Sequence, residues 1–321
     1  MTLPFQTPLE FLNVSAAVSG MSTAEQVAYQ TGLAAPTTIL NLDGSGLHIA
    51  WTIMRTRSSK TDYGEVTIRN LSTAFRLGLY ATWQQFNALP TGFKLGMHIG
   101  WGGTVNLVMS GDVWEILPEV REGEDVLTVF RFGEGQRQVK ESTTPTPKQY
   151  TYEAGNALGL WLTVQDMFVQ LGGLRIDPSM LNVFTTAVTS TPIAASGSWD
   201  LSGELVDNIN DMLDTFGLEW KVYNGQVIFM SRGITTSSAS PLAVLLTPTT
   251  GLLDWTPMDD GGINCVALAQ PSMRPGVQFI VQDGFGIPVG APGFRAETVL
   301  FNGQTDGESL MTLTGRRSIP I

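Results

Sequence analysis

From Leu47 onward, apolar and polar positions alternate one by one. Leu47, Ile49, Trp51 and Ile53 share one face while His48, Ala50, Thr52 and Met54 share the other, the two-residue period of a half-buried strand. A polar, basic loop over residues 55–64 separates this strand from a second at 65–71. At Asn70-Leu71-Ser72 the period changes. Phe75, Leu79, Trp83 and Phe86 recur at helical spacing, so a helix capped by Ser72 is predicted to pack on the sheet. Alternation returns with Phe93, Leu95, Met97, Ile99 and Trp101 opposite Lys94, Gly96, His98 and Gly100. After a Gly102-Gly103 turn, residues 104–110, 113–117 and 125–132 read as further strands. Five or six strands with short turns and one helix predict a small barrel or strongly curved sheet over 47–135.

The pattern then switches. Residues 133–148 are polar, contain Thr-Pro-Thr-Pro and read as a linker. Ala157, Trp161, Val164, Phe168 and Leu171 form one helical stripe, ended by Gly172-Gly173 and followed by a short strand at 174–176. The arrangement repeats from Ser202, the expected cap, with a stripe of Leu205, Ile209, Met212 and Phe216. Gly217 stops that helix, and strands 218–223 and 226–230 flank Asn224-Gly225, a strong hairpin signal. Two helix–Gly–strand units, a weak internal duplication, predict an α/β domain. Beyond a Ser/Thr-rich stretch at 231–240, strands return at 242–246, 263–268, 277–282, 294–301 and 310–316. The last two flank a Gly- and Asp-containing turn over 302–308. This second β-domain is too short to close a barrel alone; it completes its sheet with the first domain or with another subunit.

The predicted fold class is therefore mainly β with an α/β insertion. Residues 1–46 form an N-terminal arm, 47–147 a first β-domain, 148–231 the α/β domain and 232–321 the second β-domain. The arm has no Lys or Arg and is either an irregular segment lying on a neighbouring subunit or a weakly ordered lead-in. Within it, residues 22–29 suit a short helix capped by Ser22, with Glu25 three residues on.

Composition narrows the function classes. The 321 residues include 35 Gly and 17 Pro, which suits a turn-rich β protein, and carry a net charge of −11. That charge argues against a nucleic-acid-binding surface, which needs clustered Lys and Arg, and suits a wall that DNA passes without sticking. Ten acids face three bases between Glu141 and Lys221, at the spacing of an ordinary solvated helix face. Cys265 is the only cysteine, so no internal disulfide forms, and its apolar neighbours predict a buried, inert thiol. No secretory leader and no membrane-spanning run is expected.

Catalytic chemistry is missing from the pattern. His48 and His98 are the only histidines, both sit in strand alternation, and neither has zinc-ligand spacing. Two histidines leave few ways to build a Ser–His triad. No phosphate loop ends in Gly-Lys-Ser/Thr, and Gly284-Phe285-Gly286 lacks the strand–helix context of a dinucleotide site. Asp259-Asp260-Gly261-Gly262 reads as a tight turn rather than a cation loop. A glycosidase pair of carboxylates is set by the fold, not by spacing, and no pair stands out. Trp161 and Trp199 suit core or interface packing better than carbohydrate stacking. No catalytic, cofactor-binding or metal-ligating residue is assigned, and no cofactor is expected.

Four passages carry a resemblance. They are Ile49-Ala-Trp-Thr-Ile-Met-Arg-Thr followed by Glu65-Val-Thr-Ile-Arg-Asn-Leu-Ser; the segment 214–230; the segment 251–276; and 297–314 with Asn302-Gly-Gln-Thr-Asp-Gly. In order and spacing they resemble the baseplate hub proteins of tailed bacteriophages. The chain departs from that family's pattern at Ala269-Gln270-Pro271, where the family has Leu-Asn-Pro, and in the closing hairpin, where it has His-x-Gly-Asp. The resemblance implies two tail-tube-like β-barrel or sandwich domains flanking the α/β domain, and a homotrimer forming a six-fold-like ring. It implies a structural, non-enzymatic virion protein of the tail baseplate, assembled in the host bacterial cytoplasm. The implied partners are a tail tube or distal tail protein ring above, a spike or tip protein below, other baseplate proteins and the tape measure protein. Genome DNA would pass through the lumen without specific binding. The competing readings are another tail ring protein, hexameric, such as a distal tail or tube-terminating protein; a tail-associated cell-wall hydrolase; and a carbohydrate-binding module.

Overall fold

The structure is a computed structural model that describes residues 5–6, 9–12, 38–42, 47–57, 61–87, 93–101, 104–135, 139, 148–152, 156–191, 197–201, 203–223, 225–232, 244–282, 288–305 and 307–317. Three short strands come first: β1 (Phe5–Gln6), β2 (Leu9–Leu12) and β3 (Thr38–Leu42). Next come β4 (Ile49–Thr56), β5 (Tyr63–Arg69), helix α1 (Thr73–Asn87), β6 (Lys94–Trp101), β7 (Thr104–Glu122) and β8 (Asp125–Gly133). β1 and β2 pair antiparallel with β6, and β2 with β3. The expected irregular arm therefore contributes strands to the sheet, where they cover an edge that β6 would otherwise expose. The short helix expected at 22–29 lies outside the described residues. Ser72 caps α1 as its position suggested, its Oγ accepting from Phe75 N at 3.3 Å.

The middle of the chain supplies β9 (Lys148–Tyr152), α2 (Ala157–Gln170), β10 (Arg175–Ile176), α3 (Met180–Ser190), β11 (Gly197–Leu201), α4 (Leu205–Thr215), β12 (Leu218–Tyr223) and β13 (Gln226–Ser231). The predicted stripe of α2 buries Trp161, Val164 and Phe168. β10 runs parallel to β13, which forms the expected hairpin with β12. Gly217 takes φ +64°, the left-handed turn that ends α4 without a Cβ penalty. Two expectations change. α4 starts at Leu205, with Glu204 rather than Ser202 at the cap position. α3 was not expected, because its β-branched, Thr-rich sequence hides a stripe of Met180, Phe184, Ala187 and Val188. Thr185 and Thr189 are accommodated by donating back to the carbonyls of Leu181 and Thr185 at 2.9 and 2.8 Å.

The last third holds β14 (Val244–Leu246), β15 (Leu252–Pro257), β16 (Ile263–Leu268), β17 (Gln278–Gln282), β18 (Pro288–Gln304) and β19 (Ser309–Arg317). β15 falls in a stretch to which no strand was assigned from sequence. β7 and β18 are long strands read as shorter ones. The molecule is mainly β with an α/β insertion between two β-units.

The two β-units repeat one topology. In the first, the strand order is β4-β5-β8-β7-β6; in the second it is β15-β16-β19-β18-β17, all antiparallel. The correspondence extends to single residues. The first bulge of β7 against β8 lies between Val113 and Glu115, and that of β18 against β19 between Ala296 and Thr298. Just before it, Val113 N donates to Phe93 O at 2.7 Å and Ala296 N to Val277 O at 2.9 Å. Trp51 pairs with Val66, and Trp255 with Cys265, which aligns Trp51-Thr52-Ile53-Met54 with Trp255-Thr256-Pro257-Met258.

β18 and β4 then join the two units into one 14-stranded sheet, with Thr298 opposite Thr56 through to Gln304 opposite Ala50. Arg57 N donates to Glu297 O at 2.8 Å, Thr305 N to Ile49 O at 2.9 Å and Thr52 Oγ1 to Asn302 Oδ1 at 2.9 Å. One hydrophobic core crosses the junction, from Ile49 and Phe130 to Phe301 and Leu313. Gly303 lies under the Trp51 ring so closely that an added Cβ would sit 2.4 Å from it. Gly303→Val should therefore displace Trp51 and destabilise the fold by about 1–3 kcal/mol, the usual cost of overpacking. Chemical denaturation checks this, and an unchanged midpoint would contradict the packing.

Candidate functional site: a charged seam between two cores

The α/β unit has its own core, in which Trp161, Phe168, Phe184, Phe216, Trp220 and Phe229 stack at centroid distances of 4.9–6.1 Å. Between it and the sheet lies a cluster of buried charges. Arg55 comes from β4, Asp62 from the turn before β5, Glu134 from the end of β8, and Lys221 and Tyr223 from β12. Arg55, Asp62, Glu134 and Lys221 are all at most 1 % exposed. Arg55 Nε lies 3.6 Å from Asp62 Oδ2 and its Nη2 3.4 Å from Glu134 Oε1, while its guanidinium sits 4.8 Å above the Tyr223 ring. Lys221 Nζ pairs with Asp62 Oδ1 and donates to Thr56 O at 2.6 Å. Arg274 lies 4.7 Å from the Tyr223 ring.

Two cations and two carboxylates balance, which is the condition for burying such a group. Burial pushes the Asp62 carboxyl above its ordinary range, with Lys221 and Arg55 opposing. Burial likewise lowers the Lys221 ammonium against the pull of Asp62. For Arg55 burial also disfavours the charge, but Glu134 and Asp62 outweigh it and hold the guanidinium above its usual value. Around this centre, Arg57 reaches Glu219 at 3.0 Å and Glu297 at 3.4 Å, and Arg232 reaches Asp214 at 2.5 Å. Arg57 thus ties both β-units to the α/β unit. The seam is a lock between lobes, with its acids enclosed and ion-paired rather than open to a substrate.

The residues weighed for chemistry are dispersed. His98 is half-buried on β6, and His48 precedes β4 with its carbonyl accepting from Arg69 N at 3.0 Å. Among the described residues no group of three or more His, Cys, Asp or Glu side chains could hold a metal ion. Asp259–Gly262 is a turn in which Gly262 N donates to Asp260 Oδ1 at 3.0 Å. Trp161 is buried in the α/β core and Trp199 packs 6.2 Å from Phe216, so neither presents a free stacking face. Asp207, Asp211 and Asp214 occupy the exposed face of α4. Gly284-Phe285-Gly286 lies outside the described residues. No described helix is long and apolar enough to cross a membrane. Sequence reasoning missed the seam because Asp62 and Lys221 are far apart in the chain and each reads alone as a solvated charge.

Cys265 is buried on β16, between β15 and β19, and burial, with Asp254 nearby, pushes its thiol up to about 12. It should resist a thiol reagent at pH 8 in the native protein and react once the chain is unfolded; stoichiometric native labelling would contradict this burial. For the seam, Asp62→Asn leaves Lys221 and Arg55 short of a carboxylate, and about 3–5 kcal/mol of stability should be lost. A double-mutant cycle with Lys221→Met should show the two losses to be non-additive; additive losses would contradict the pairing.

No model of a known protein family matches the chain, and no curated protein matches it in sequence. Its fold does have solved counterparts. The 43 kDa tail protein of prophage MuSo2 from Shewanella oneidensis aligns over 99 % of this chain and 97 % of its own, with TM-score 0.55 and 8 % identity. The tail protein from Neisseria meningitidis MC58 aligns over 85 % of this chain and 96 % of its own, with TM-score 0.52 and 11 % identity. A chain of the PdpA–VgrG complex aligns over 98 % of this chain and 64 % of its own, with TM-score 0.50 and 6 % identity. The fold is that of tail proteins.

Proposed function

We propose that this protein is a structural component of a phage tail, a baseplate hub joining a hexameric tail tube to a trimeric spike or tip. The observation that carries the reading is the tandem β-unit: each chain holds two copies of one topology, fused side by side through β18 and β4. Three such chains around an axis present six near-equivalent units to a six-fold ring, while their α/β units repeat only three times, which suits a three-fold partner. The full-length fold similarity to tail proteins supports a place in the virion tail.

The partners of this reading are a tail tube or distal tail ring on one side, a spike or tip protein on the other, and the surrounding baseplate proteins. The net charge of −11 suits a channel through which DNA passes without binding. No reaction is assigned: the enclosed, ion-paired acids of the seam support a role in holding lobes together rather than in hydrolysis.

Native mass measurement of the purified protein tests the reading. The trimeric hub predicts a species of three chains, or its formation when tail tube protein is added. A ring of six chains would instead make the protein a distal tail or tube-terminating ring and overturn the hub.

A further inference from the structure

The β-unit repeat leaves one junction used and one unused. Inside the chain, the second half of β18 has β19 on one edge and β4 on the other. The counterpart of that second edge, on β7 beyond Val113, pairs with no strand among the described residues, and neither does the outer edge of β15, the counterpart of β4. The two edges lie at separate places in the sheet, with six strands between them.

Side-chain burial shows what the outer strand lacks. Ile53 of β4 is fully buried, whereas its counterpart Pro257 on β15 is exposed. Trp51 is buried, whereas its counterpart Trp255 is only half-buried. Leu253, the extra residue at the bulge of β15, is 56 % exposed. These strands differ chiefly in that β4 has neighbours on both edges, β5 and β18, whereas β15 has only β16 among the described residues, so β15 carries apolar surface suited to a strand laid along it.

We propose that the β15 edge of one copy seats along residues 115–122 of β7 in a second copy, repeating between chains the seam that β4 and β18 make within one. This deepens the ring reading given above and rests on it. The registers specify the contact. Leu300 opposite Met54 becomes Leu117 opposite Met258, while the bond from Arg57 N to Glu297 O has no counterpart, because Gly261 N already donates to Met258 O at 3.0 Å in the turn after β15.

The seam between chains is not a full copy of the one within. Pro257 stands where Ile53 exchanges bonds with Phe301, and Pro118 lies at the second bulge of β7, so both edges lose a donor in the same stretch. The seam between copies is therefore the weaker of the two. Its interrupted ladder also rejects ordinary strands, so each edge is protected from aggregation until a matching copy arrives.

The test uses the full chain with single substitutions Leu117→Cys and Met258→Cys, each first shown to unfold at the parent temperature. These positions correspond to a non-hydrogen-bonded pair, whose close side chains suit a disulfide, and native Cys265 is buried. Under mild oxidation a mixture of the two variants should give disulfide-linked dimers, neither variant alone should, and the double variant should give chains linked up to a closed ring. Dimers from either single variant alone would mean a two-fold contact and overturn the seam. A three-chain species by native mass that forms no cross-link in the mixture would also overturn it, while leaving the hub intact. A protein that stays monomeric and uncross-linked, even with tail tube protein present, would overturn both.

Discussion

The ladder between β18 and β4 is the constraint on which the rest of the molecule depends. These strands lie far apart in the chain, and their pairing converts two copies of a small β-unit into one sheet over one core. Neither unit has the same core without it. Ile53 and Phe301 face each other across the ladder and both are fully buried. Because the junction joins distant parts of the chain, the α/β unit is held as a closed excursion from the sheet rather than as a separate bead. The balanced charges at Arg55, Asp62, Glu134 and Lys221 then fix its orientation. Buried ion pairs contribute little net stability compared with apolar packing, but they are unforgiving of misplacement, which favours one fixed placement of the α/β unit on the sheet.

This arrangement also employs several of the side chains weighed for chemistry. The enclosed carboxylates neutralise cations, the Cys265 thiol is buried on β16, and Trp161 fills the α/β core. In the proposed trimer, a tandem repeat of one β-unit with a single α/β insertion would place six like β-units and three α/β units around the axis.

Much of the first β-unit was legible because its strands alternate strictly, as in Ile49, Trp51 and Ile53, and because α1 and α2 carry clean helical stripes. Legibility failed where a different constraint governed the residue. β15 shows no alternation because, as an outer strand, it buries little. The Thr-rich α3 satisfies its hydroxyls within the helix and so hides its periodicity. β7 reads as two shorter strands because bulges shift its alternation by one residue. The duplication of the β-units survives in topology and bulge position but in few residues, chiefly Trp51-Thr52 and Trp255-Thr256, since many side chains can satisfy one backbone register. The charged seam was invisible for a simpler reason: nothing local marks Arg55, Asp62 or Lys221 as partners.

The central claim is that the two β-units are one cooperative body. Amide hydrogen exchange at Arg57 and Thr305, whose N–H groups donate across the junction, measures this most directly. The account predicts that both amides exchange only through global unfolding, at the same free energy as the amide of Val113, which is bonded inside the first unit. Exchange of Arg57 and Thr305 through a lower-energy opening that leaves Val113 protected would show the units to be independent and contradict it.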